Sequence, residues 1–87
     1  MTWRIELSED AEAELRKLDK PVRERIGKFI DRLAMSQDPR EQGKPLQSGW
    51  AGCWRYRVGD YRLVCKLRDR ELLVLVLKIG HRREVYR

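Results

Sequence analysis

A chain of 87 residues has the length of one domain with a single core, so we predict one domain over residues 1–87. Apolar residues make up 41% of the sequence, which is enough to bury a modest core and excludes a wholly disordered chain. The longest apolar run, residues 72–77, falls far short of the ~18 residues that cross a bilayer, and the acidic N-terminus is unlike a signal peptide, so we expect no membrane partner.

Positive charge is concentrated in the second half of the chain. Residues 1–43 contain nine Lys or Arg and ten Asp or Glu, for a net charge of −1, whereas residues 44–87 contain eleven and four, for a net charge of +7. An excess of this kind indicates a polyanionic partner, either a nucleic acid or an acidic protein segment. The charge alone does not choose between the two.

The first part of the sequence predicts a strand followed by two helices. Residues 3–7 alternate apolar and charged side chains, as a half-buried strand does. Ser8 is a suitable N-cap, and the acidic residues after it complement the positive end of a helix. Apolar residues at helical spacing then form two stripes that are interrupted at Pro21, a residue well tolerated in the first turn of a second helix. We therefore expect an amphipathic helical hairpin that ends near Leu33.

The remainder of the chain reads as a loop and three strands. Residues 35–52 are rich in Gly and Pro, with Leu46 and Trp50 as candidate anchors. Tight turns separate three strands, which makes them antiparallel neighbours. These strands are expected at residues 53–58, 61–68 and 71–79. The predicted fold class is α+β, with an N-terminal strand, a two-helix hairpin and a three-stranded antiparallel meander that together form one sheet.

Alternation along the first two of these strands separates charged from apolar side chains. Trp54 and Tyr56 share one side of the strand at 53–58, and the neighbouring arginines share the other. If the apolar sides face the helices, the opposite face collects basic residues. These are Arg55, Arg57, Arg62, Lys66 and Arg68. Bound phosphates would relieve their mutual repulsion, while the alternative interpretation is a solvated sheet face with no ligand.

The last eight residues add groups suited to cleaving RNA. The segment GHRREVYR supplies an imidazole, guanidiniums and a phenol at His81, Arg82, Arg83 and Tyr86. Attack by a ribose 2′-hydroxyl needs a group that takes a proton, cations that stabilise the phosphorane, and a ring that holds the splayed base. Taken singly, His81 and Tyr86 would more often be structural residues, so it is their combination that points to chemistry.

No metal or cofactor site is indicated. The single histidine and the two separated cysteines, Cys53 and Cys65, lack the spacing of zinc ligands, and neither a phosphate-binding glycine motif nor HExxH is present. We expect reduced cysteines in a cytoplasmic protein that needs neither metal nor small-molecule cofactor.

The sequence resembles the RelE toxins of the RelE/ParE toxin-antitoxin superfamily. The likeness lies in GDYRLVCKLRDRELLVLVLKIGHRREVYR and the preceding WRYRVG, and it is most specific in YRLV and GHRREVY. It implies a RelE-like fold and a metal-independent endoribonuclease that cuts messenger RNA in the ribosomal A site. It also implies a cognate antitoxin as the neutralising partner.

The resemblance gives roles to individual residues. Arg62 matches the arginine that contacts the scissile phosphate, Arg82 the arginine that stabilises the transition state or protonates the leaving 5′-oxygen, and Tyr86 the tyrosine that stacks on the target nucleotide. Phosphate binding is expected of Arg55, Arg57, Lys66 and Arg83. Some RelE toxins carry lysines where Arg55 and Arg57 stand, and an arginine is a poor general base because it retains its proton. That leaves His81, whose imidazole ordinarily titrates near neutrality, as the candidate base.

Two other functions remain open at this point. A ParE-like toxin would bind and poison DNA gyrase and cleave nothing. A non-catalytic nucleic-acid-binding module would keep the basic face but tolerate loss of His81 and Tyr86. The set of Arg62, Arg82 and Tyr86 favours the RelE interpretation, because a gyrase poison has no need of a phosphate-directed arginine.

Overall fold

The computed structural model of the protein describes residues 2–81, with the side chains of all of these except Ser48. One sheet is formed by β1 (Arg4–Leu7), β2 (Lys44–Pro45), β3 (Cys53–Val58), β4 (Tyr61–Arg68) and β5 (Leu73–His81). The strand order is β1-β5-β4-β3-β2, with β1 parallel to β5 and the other neighbours antiparallel. Two helices, α1 (Glu9–Lys17) and α2 (Lys20–Ala34), follow β1. The α+β class, the helical hairpin and the single sheet are thus confirmed.

The strand β2 is not predicted by the sequence. Its two residues, Lys44 and Pro45, lie within the segment interpreted as a loop and are too few to show an alternating pattern. Pairing with β3 defines the strand, since Lys44 lies opposite Arg55 at the edge of the sheet. A long-range contact of this kind leaves no local mark in the sequence.

The last strand is displaced by two residues from the predicted range 71–79. Asp69–Glu71 form a short 3₁₀ turn, and Leu72 adopts a left-handed conformation with φ of 48°, so β5 begins only at Leu73. It continues to His81, which therefore lies within the strand and not after it.

A bulge interrupts the pairing of β4 with β5. Val64 pairs with Lys78 and Cys65 with Val76, which leaves Leu77 as an extra residue on β5. An extra residue shifts the alternation of side chains beyond it. The residues of β5 that follow Leu77 are therefore on the faces opposite to those that an unbroken strand would give.

Both helices cover the same face of the sheet. Ser8 caps α1, because its Oγ accepts a hydrogen bond from the backbone N–H of Ala11 and donates one to the carbonyl of Leu77 on β5. Ile26 and Leu33 of α2 are fully buried against this face. No helix within residues 2–81 has both the length and the apolar character needed to cross a bilayer.

Side-chain contacts with the sheet hold the segment between α2 and β3 in place. The Tyr56 hydroxyl donates a buried hydrogen bond of 2.9 Å to the Pro39 carbonyl, and burial raises the pKa of that phenol. Arg40 lies over the Trp54 ring and pairs with Asp69, whose pKa this hydrogen bond lowers. These contacts set the path of the chain as it passes from the helices to the edge of the sheet.

We predict opposite effects of two glycine-to-alanine substitutions. A Cβ atom at Gly43 would lie 2.8 Å from Cε1 of Tyr56 and 3.0 Å from the carbonyl oxygen of Arg55, so Gly43→Ala should lower the free energy of unfolding by about 1–3 kcal/mol. A Cβ atom at Gly27, within α2, would meet nothing within 4 Å, so Gly27→Ala should raise it by about 1 kcal/mol. Urea denaturation measures both, and a Gly43→Ala variant as stable as the wild type would refute the close packing.

Candidate nucleic-acid interface

The sheet has one face covered by the helices and one without them, which we call the open face. Trp54, Tyr56 and Val58 of β3 pack into the core beneath the helices, as do Leu63 and Cys65 of β4. Alternate residues therefore belong to the open face. Its basic residues are Lys44, Arg55, Arg57, Arg62, Lys66, Arg68 and Lys78. Strands β3, β4 and β5 contain no Asp or Glu, so acidic side chains of these strands do not offset this charge.

Strand register brings the arginines of the open face together. Arg57 lies directly opposite Arg62, and Arg55 lies opposite Val64, so the arginines of β3 are within one or two positions of Arg62. Directly paired side chains have Cβ atoms only ~5 Å apart, a distance at which like charges repel. A bound phosphate would turn that repulsion into attraction for the ligand.

Arg62 lies near the start of β4, directly opposite Arg57 of β3. It is half-buried and its Nε atom is buried, whereas Arg57 is exposed. On its other side Arg62 pairs with Gly80 of β5, a residue with no side chain. Arg62 is therefore flanked by an arginine on one neighbouring strand and by a glycine on the other. That geometry is suited to holding a phosphate against the sheet.

Two basic residues of the open face were missed by the sequence analysis. Lys44 lies on the unpredicted strand β2. Lys78 would face the helices in a regular strand, since it has the same parity as Val74 and Val76, but the bulge at Leu77 pairs it with Val64 of the open face. No period-two pattern could have identified either one.

The open face also has an apolar centre. Val64 and Cys53 are buried there, and three half-buried residues pack against them. Those residues are Leu46, Trp50 and Leu77. The expectation that Leu46 and Trp50 anchor the segment 35–52 is thus confirmed, and both anchors lie among the basic residues of the open face.

His81 lies on the other face of the sheet from Arg62. It pairs with Tyr61, and the two rings meet edge to face with their centroids 5.7 Å apart. Tyr61 packs against the core beneath the helices. The structure therefore does not bring His81 beside Arg62, as a role for His81 as the base would require.

The remaining predicted site residues, Arg82, Arg83 and Tyr86, lie outside the described residues. Both cysteines, Cys53 and Cys65, are free and buried. Residues 2–81 contain no cluster of three or more His, Cys, Asp or Glu side chains that could hold a metal ion.

A groove lies between α1 and the end of β5. This groove of about 340 Å³ is lined by residues 78–80 of β5 and by acidic as well as basic residues of α1, including Asp10, Glu14 and Lys17. Mixed charge makes the groove less suited to a polyanion than the open face. The open face is therefore the stronger candidate site.

Comparison with known proteins gives consistent matches along the whole chain. Residues 5–86 match the family of ParE toxins of type II toxin-antitoxin systems. The chain is 30% identical to toxin RelG of Mycobacterium tuberculosis, over 100% of this chain and 99% of RelG. It is 31% identical to the mRNA interferase toxin RelE of Escherichia coli, over 99% of this chain and 92% of RelE. In the toxin-antitoxin complex RelBE2 of M. tuberculosis, a chain 27% identical superposes with a TM-score of 0.85, covering 97% of this chain and 95% of that one.

The crowding of charge on the open face predicts a stabilising substitution. Arg57→Gln removes the cation opposite Arg62, so the free energy of unfolding should rise by a few tenths of a kcal/mol at low salt, and the gain should shrink as added salt screens the charges. Arg23→Gln, on the exposed side of α2, is the matched control and should give no such salt-dependent gain. Urea denaturation at low and high ionic strength measures the effect, and destabilisation by Arg57→Gln at low salt would contradict it.

Proposed function

Because the chain belongs to the RelE/ParE superfamily of type II toxins, we propose that it is a metal-independent endoribonuclease that cuts messenger RNA, acting in the ribosomal A site. The observation that carries this proposal is the position of Arg62, half-buried between Arg57 and Gly80 on a sheet face rich in cations. Such a face binds phosphates by charge, and a half-buried guanidinium within it can stabilise one phosphate in particular.

The proposed reaction is intramolecular in the RNA. The ribose 2′-oxygen attacks the adjacent phosphorus and the bond from phosphorus to the 5′-oxygen breaks, which gives a 2′,3′-cyclic phosphate and a free 5′-hydroxyl. Arg62 stabilises the charge of the phosphorane, and Arg82 stabilises it or protonates the leaving oxygen. Tyr86 stacks on the target nucleotide. Flanking phosphates are bound by Arg55, Arg57, Lys66 and Arg83.

A further group must accept the proton that the 2′-hydroxyl loses when it attacks. A general base must lie within hydrogen-bonding reach of that hydroxyl, and His81 lies on the face of the sheet opposite to Arg62. We infer that the protein contributes mainly charge stabilisation and substrate orientation, and that water or ribosomal groups accept the proton. This interpretation replaces the sequence-based expectation that His81 is the base.

We further propose that a cognate antitoxin binds this toxin in the cytoplasm and blocks the open face. A toxin with similar structure occurs in the toxin-antitoxin complex RelBE2. The net charge of +7 on residues 44–87 favours an acidic antitoxin segment, and such an interface should weaken as salt increases.

A ParE-like activity is the second candidate, since the family model that matches residues 5–86 describes ParE toxins. In that case the protein would bind DNA gyrase and cleave no RNA. The half-buried Arg62 on a sheet face rich in cations favours the ribonuclease, as does the 31% identity to a relative named an mRNA interferase.

Substitution of Arg62 tests the mechanism. Removing one preorganised charge from a developing oxyanion costs roughly 100- to 1000-fold in rate, so Arg62→Ala should slow single-turnover cleavage on programmed ribosomes by that factor. Arg68→Ala is the matched control, because Arg68 belongs to the same strand and face but lies at its far end, paired with Glu71 at 3.8 Å. We expect Arg82→Ala to behave like Arg62→Ala and Arg68→Ala to behave like the wild type.

The same assay decides the role of His81. Loss of a general base costs about 100-fold or more, and would flatten the rise in rate with pH. We expect His81→Gln to keep a nearly wild-type rate and pH profile. A large loss in this variant would restore His81 as the base, and near wild-type cleavage by a folded Arg62→Ala variant would remove Arg62 from the mechanism.

A further inference from the structure

Phosphate binding leaves the apolar centre of the open face unexplained. Trp50 packs there against the cluster of Val64 and Cys53, yet it is only half-buried. Part of this aromatic residue therefore remains accessible to a ligand. Anchoring the segment to the sheet does not require an aromatic ring, because Leu46 also packs on the same cluster. A flat aromatic surface among cations is the combination by which single-stranded RNA is bound, with charges along its backbone and rings beneath its bases.

Trp50 is held in place by the backbone around it. The backbone N–H of Trp50 donates a hydrogen bond of 3.3 Å to the Gln47 carbonyl, at a short 3₁₀ turn. The backbone N–H of Leu46 donates one of 3.0 Å to the Cys53 carbonyl. The turn is thus attached to β3 just before Trp50. A preorganised ring loses little freedom when a base stacks on it, which favours binding.

The position of Trp50 relative to Arg62 is suited to binding one RNA strand. Trp50 packs on the cluster of Cys53 and Val64. Val64 follows Arg62 by two residues on β4, and two residues of a strand span about 7 Å. A phosphate on Arg62 would therefore place a neighbouring base of the same strand over the indole. Arg55 lies opposite Val64 and would meet the backbone phosphate of that neighbour.

We propose that Trp50 is a second base-stacking residue, which binds the base of a nucleotide next to the one cleaved, in single-stranded messenger RNA. This role rests on the proposed ribonuclease function and adds a contact that is displaced from Arg62 along β4. Stacking reads the size of a base but not its hydrogen-bonding edge, so Trp50 gives a modest preference for purines at that position.

The test compares Trp50→Ala, Trp50→Phe and Leu46→Ala in single-turnover cleavage on programmed ribosomes. Trp50→Ala should raise the half-saturating toxin concentration by at least about 5-fold, the lower end of what base stacking contributes, and leave the rate at saturation nearly unchanged. Trp50→Phe should restore most of the binding because it keeps a ring. Leu46→Ala removes an apolar contact from the same cluster without removing a ring, and should bind as the wild type does. Equal effects of Trp50→Ala and Leu46→Ala, or none from either, would overturn the proposal.

A second measurement keeps this test independent of the ribonuclease proposal and of variant folding. A short 2′-O-methyl RNA, which lacks the attacking hydroxyl, should quench tryptophan emission of the wild-type protein but not of Trp50→Phe, since Trp3 is buried and Trp54 faces the core. If ribosomes are not cut yet this quenching occurs, the ribonuclease proposal fails and the stacking contact stands. Absence of the quenching, or quenching by the antitoxin alone, would assign Trp50 to anchoring or to a protein contact and overturn it.

Discussion

The alternation of side chains along β3 and β4 links the core of this protein to its site. Each residue that packs beneath the helices fixes its neighbour on the open face, so Tyr56 positions Arg55 and Arg57, and Leu63 positions Arg62. A slip of one residue in either strand would exchange the two faces. Burial of the apolar side thus supplies the free energy that holds like charges together on the other. The repulsion among the cations of the open face is thus offset by the packing of the core.

Local patterns predict the parts of the structure that depend on local interactions. The two helices, the cap of α1, the bounds of β3 and β4, and one shared face all follow from patterns that the sequence shows directly. That face carries Arg55, Arg57, Arg62 and Lys66. The bulge at Leu77 does not follow from such a pattern, because it depends on how β4 and β5 pair. That single extra residue brings Lys78 to the open face. The two-residue strand β2, which adds Lys44, is likewise defined by its partner alone.

The site combines two kinds of surface that sequence analysis treats separately. Cations at alternate strand positions give the charge, while Trp50 comes from a segment with no repeating pattern and was expected only to anchor it. Their proximity follows from the hydrogen bonds that attach the segment to β3 and from the contacts of Tyr56 and Arg40 that set its path. The proposed ribonuclease, which would rely on charge and orientation, is consistent with that arrangement, since His81 lies on the face opposite to Arg62.

Mapping new RNA 5′ ends after the protein is induced in cells tests the central claim most directly. A ribonuclease acting on translated messages predicts 5′ ends that fall at a fixed position within codons, confined to coding regions and absent when translation is blocked. Intact messages accompanied by gyrase-linked DNA breaks would contradict the claim and assign the protein to the ParE activity.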